Sequence, residues 1–86
     1  MINIDEVNAY TLSVKFVTVE QVKKFVSQAE KIQGEIIIET ENNFKIDGRS
    51  LMGIFSLNLS KPVTVICDNV NFRDVYDLCE EIKIIV

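Results

Sequence analysis

The stretch DGRSLMGIFSLNLSKP, Asp47 to Pro62, is mostly apolar yet carries two glycines and three serines. Gly53 costs a helix interior about 1 kcal/mol against alanine, and it weakens a strand interior as well. Its presence therefore needs a packing reason, and Gly53 reads as a position of close contact. Gly48 is a break, and Ser50 is the N-cap of a short helix reaching to about Asn58, stopped by Lys61-Pro62. Leu51, Met52, Ile54, Phe55 and Leu57 cannot all face inward from one short helix, so part of this segment is expected to be surface.

Outward from that helix, the patterning is clear on both sides. Upstream, YTLSVKF alternates Tyr10, Leu12, Val14 and Phe16 against Thr11, Ser13 and Lys15, the period of a half-buried strand. Thr18 with Gln21 three residues on is a capping box. Behind it Val22, Phe25, Val26, Ala29 and Ile32 recur at helical spacing, and Gly34 suits a left-handed exit. EIIIET and NFKID form a hairpin around ENN, with Phe44 and Ile46 expected on its buried face. Downstream, VTVICD is a fourth strand, and Asn71 caps a last helix with Val75, Leu78, Cys79 and Ile82 inward. The order is β-α-β-β-α-β-α, which predicts an α+β fold with an antiparallel sheet packed on one side by helices.

The 86 residues make one domain, 1–86, with 48% hydrophobic and 26% charged residues and no low-complexity segment. Nine basic residues against thirteen acidic ones leave a net charge of −4. The basic residues are scattered, so no nucleic acid and no anionic membrane surface is expected as a partner. The longest apolar runs, such as Ile36-Ile37-Ile38, are too short to span a bilayer. Asp5 and Glu6 stand where an export signal needs apolar residues, which points to the cytoplasm. Cys67 and Cys79, with no histidine in the chain, cannot close a tetrahedral metal site, and both read as core thiols. No metal or cofactor is expected. The carboxylates have no basic or nucleophilic companion that would suggest an enzyme.

The run RSLMGIFSL, Arg49 to Leu57, resembles the segment around the regulatory serine of the HPr family, the histidine-containing phosphocarriers of the bacterial sugar phosphotransferase system. The family run Lys-Ser-Ile-Met-Gly-Val-Met-Ser-Leu is matched position by position, identically or conservatively. The element order is also the family's. The resemblance implies an open-faced β-sandwich, four antiparallel strands in spatial order 1-4-2-3 with three helices on one face.

The family carries phosphate on a histidine at the N-cap of its first helix, in Gly-X-His-X-Arg-Pro. Here that segment is FVTVEQV, with Thr18 at the histidine position, Glu20 at the arginine and Gln21 at the proline. A threonine phosphoester lacks the transfer potential of a nitrogen–phosphorus bond, and Glu20 would repel an incoming phosphate at that helix end. The resemblance therefore implies a degenerate, non-catalytic member that does not relay phosphate. It would work as a protein-interaction and regulatory module phosphorylated at Ser50, like a histidine-lacking paralogue of the family that acts through its serine as a transcription-factor corepressor. Arg49, Leu51, Met52 and Phe55 would form the partner surface beside that serine, with HPr kinase or a transcriptional regulator as partner. The alternative is a binding module of the same fold, unrelated to sugar transport, in which Ser50 is only a helix cap.

Overall fold

The computed structural model describes residues 7–82. Asp5 and Glu6, on which the reading against an export signal rests, lie outside them. The elements follow the predicted order: β1 Val7–Val14, α1 Val19–Ala29, β2 Glu35–Glu39, β3 Lys45–Asp47, α2 Leu51–Phe55, β4 Val63–Asn71 and α3 Phe72–Glu81. The strands form one sheet in the order β1-β4-β2-β3, and every neighbouring pair is antiparallel. Leu12, Val65, Ile38 and Ile46 make a single row across all four strands.

Period-two alternation splits the sheet into two faces. Ile36, Ile38, Val63, Val65 and Cys67 are buried, whereas Ile37, Thr64 and Ile66, on the opposite face, are only half-buried. The helices supply the other half of the core. Val22, Phe25, Val26 and Ala29 of α1 and Val75 and Leu78 of α3 are buried, the stripe their spacing requires. Phe25 is fully enclosed and meets Phe16 edge to face, the ring centroids 5.4 Å apart. Among the described residues no helix is long and apolar enough to cross a membrane.

Four expectations need correction. Phe44 is 57% exposed, not core. The amide of Asn43 donates to Thr40 O and that of Thr40 to Phe44 O, with Asn43 at φ 63°, so Phe44 closes the hairpin turn before β3 begins. At that tip it only lines a shallow hollow with Leu57 and Pro62. Cys79 is exposed, because the buried stripe of α3 runs through Val75, Leu78 and Ile82 and leaves Cys79 on its flank. Cys67 is buried, and neither thiol is in a disulfide. The second helix is shorter than expected, Leu51–Phe55, and β4 is longer, reaching Asn71.

The extra length of β4 has a physical cause. Asp68 and Asn69 together face Ala9, since Cys67 pairs with Tyr10 and Val70 with Asn8. Asn69 takes φ 60° at this bulge. The bulge breaks the alternation of buried residues, so Val70 turns inward three positions after Cys67. Gly34 packs against it with φ +108°, where a Cβ would stand 2.5 Å from Asn69 O. Any side chain there would meet both a strained backbone and a collision.

Candidate interaction surface

Two helix N-termini with their caps define the region that the sequence singles out. At α1 the capping box is complete. The Gln21 amide N–H donates to Thr18 Oγ1 at 3.2 Å, and Gln21 Oε1 accepts from the amides of Thr18 at 3.1 Å and Val17 at 2.7 Å. Thr18 is thus an exposed N-cap whose hydroxyl closes the helix end. The amide oxygen of Gln21 already fills the place an anion would take on the Val17 and Thr18 N–H groups.

At α2, Ser50, Gly53 and Ser56 form one local relay. The Gly53 amide donates to Ser50 Oγ at 3.1 Å, and Ser56 Oγ donates to Gly53 O at 2.6 Å. One serine in front takes the glycine's N–H, and one serine behind takes its carbonyl. A Cβ on Gly53 would lie 2.8 Å from Ser50 Oγ, so the glycine lets the cap hydroxyl sit over the helix end. Close approach is the packing reason its position demanded, and it answers the three-residue spacing of the motif.

Arg49 does not join the surface. Its Nε donates to Ala29 O at 3.0 Å, and its Nη2 donates to Ile32 O and to Gly34 O at 2.9 Å. The guanidinium therefore closes the chain where it leaves α1, a helix with no basic residue of its own in its last turn. The Asp47 carboxylate accepts from the Arg49 amide at 2.9 Å and fixes the turn into α2.

The apolar residues of α2 divide as one short helix requires. Ile54 is buried, Leu51 is half-buried against the core, and Met52 and Phe55 are exposed, Met52 at 78%. Phe55 lines a hollow with Val17, Val19 and Leu59, beside Thr18. Val17 is 68% and Val19 58% exposed. Met52, one turn before Phe55, extends the same face. Val17 and Val19 escape the sequence reading, although a signal was present. Val17 holds the position from which an apolar residue staples onto Val22, and the two line the same hollow although Val17 stays 68% exposed.

This arrangement gathers exposed apolar side chains, and the polar groups beside them are engaged in the fold. The serine hydroxyls are engaged as caps. Burial pushes the Cys67 thiol up to about 11, with the Cys79 thiol adding and the Arg49 charge opposing. Burial, then the Glu80 charge, also raises Cys79, so neither thiol is an activated nucleophile. Among the described residues no group of three Cys, Asp or Glu is placed to hold a metal ion. Compared with protein families, curated proteins and solved structures, the chain finds no match in any of the three.

Proposed function

We propose that this chain is an HPr-like cytoplasmic docking module that binds a protein partner and relays no phosphate. The observation that carries the reading is the exposed apolar side chains of Val17, Val19 and Phe55, which line one hollow beside the cap Thr18, with exposed Met52 one turn before Phe55 on α2. Large apolar side chains gathered on one face mark a partner site more often than scattered ones do. The strand order β1-β4-β2-β3 agrees with the order the resemblance implies, which supports the family reading. Thr18 in place of the carrier histidine, in a chain without any histidine, supports the loss of the relay. With enzyme I and phosphoenolpyruvate the protein should gain no acid-labile phosphate; gaining one would sink the degenerate-carrier reading.

Ser50 admits two roles. In the first it is the control point: the residue is exposed two positions before exposed Met52, and a phosphate there adds about −1.5 to −2 charge. In the second it is only the cap, which the Gly53 bond and the occupied Arg49 guanidinium favour, since no cation on the neighbouring residue is left to hold a phosphate. Incubation with HPr kinase and ATP, read by intact mass, separates them. Modification of the parent but not of Ser50→Ala supports the control point. No modification of either, beside a modified histidine-bearing HPr, leaves Ser50 a cap.

A further inference from the structure

The two edges of the sheet are built differently. The β3 edge is three residues long, carries Lys45 and Asp47, and ends at Gly48. Short, charged edges are how sheets avoid pairing with other chains. The β1 edge has none of these guards. Val7–Val14 reads VNAYTLSV, eight residues without a charge or a proline. Its irregular register is confined to the Asn8–Tyr10 end, and from Tyr10 to Val14 each residue faces a single partner in β4. Among the described residues no strand pairs with its outer side. On the helix side of this edge, Tyr10 meets Phe72 with ring centroids 6.2 Å apart, and Phe72 and Tyr76 are 36% and 55% exposed.

We propose that the β1 edge, over Tyr10–Val14, pairs with the same edge of a second copy of this chain. Unpaired backbone groups on a regular edge select a β-strand as occupant, because only another strand satisfies them in register. The second copy fits that role on charge. An isologous antiparallel pair centred on Leu12 sets Tyr10–Val14 of one copy against the same residues of the other in reverse order, and like charges directly opposite are unfavourable. With a net charge of −4, an uncharged strand is where two copies meet without that repulsion. Antiparallel pairing would set Thr11 and Ser13 of both copies side by side on the open face. On the other face it would set Tyr10 of each copy opposite Val14 of the second, an aromatic side chain against a β-branched one.

Sedimentation velocity over a concentration series tests this. The parent should move from the monomer coefficient toward that of a dimer and return on dilution, with amide exchange slowing at Tyr10–Val14. Thr11 and Ser13 are exposed, so T11K/S13K should keep the parent's circular dichroism and lose the concentration dependence. The charge-matched S27K/Q33K, also at exposed positions, should keep it. A parent that stays monomeric throughout overturns the proposal. So does a T11K/S13K variant that associates like the parent, or a dimer that fails to dissociate on dilution.

Discussion

At the scale of single residues, Gly53 shows two opposing effects of similar size. Alanine there would gain about 1 kcal/mol of helix propensity. Its Cβ would displace the Ser50 hydroxyl, 2.8 Å away, and forfeit a cap worth about 1 kcal/mol. Gly53→Ala should therefore change stability by less than about 0.5 kcal/mol in the parent, yet stabilise Ser50→Ala by about 0.5–1 kcal/mol. Urea denaturation of the four proteins measures the coupling, and an equal effect in both backgrounds would mean the glycine is not there for the cap. The need for close contact at Gly53 could be read from its cost in a helix, but the contact itself could not. Ser56, which completes the relay, gives no sign in sequence of where its proton goes.

Elements were legible where one period ran unbroken. Both the α1 stripe from Val22 to Ile32 and the Thr18 cap follow from spacing alone, and Phe25 sits fully enclosed where that spacing puts it. Phe25→Ala should cost about 3–5 kcal/mol, a large share of the roughly 4–13 kcal/mol expected for a domain of this size. A variant melting like the parent would show that α1 does not carry the core. Legibility failed where a tertiary feature interrupts the period. The β4 bulge shifts the alternation after Cys67, so a strand that continues to Asn71 looks finished at Asp68. Phe44 fails for a related reason: its parity matches Ile46, but the hairpin closes before any helix can cover it.

For the whole molecule, the exposed apolar surface proposed to meet a partner was half legible. Met52 and Phe55 stand out in α2, while Val17 and Val19 join them only because the chain folds the entry to α1 beside the end of α2. Arg49, expected to face a partner, is turned inward by carbonyls 15 to 20 residues away in sequence, which no local pattern records. The buried thiol also sets an alkaline limit on stability. Cys67 holds its proton up to about 11 in the fold against an ordinary 9.0. Between those values the native state binds more protons than the unfolded chain, so stability is intact below pH 9 and falls as pH rises toward 11. The difference between the parent and Cys67→Ala isolates the thiol from every other group. The parent should lose more stability over that interval, and parallel curves would remove the thiol from the account.

The Arg49 clamp has a kinetic meaning. Its bonds tie the exit of α1 to the entry of α2 across the β2–β3 hairpin, so its acceptors come within reach only once that hairpin has formed and docked. Interactions completed after the rate-limiting barrier govern how fast a protein opens rather than how fast it closes. Arg49→Ala forfeits charge-assisted bonds worth about 1.5–3 kcal/mol in all. That loss should steepen escape from the native state by roughly ten- to a hundredfold while the refolding arm of the chevron hardly moves. Arg49→Lys, lacking the planar fork, should recover only part of it. A refolding arm slowed as much as the unfolding arm is quickened would place the clamp inside the folding nucleus. Otherwise the guanidinium acts as a latch, dropped last on the way in and lifted first on the way out.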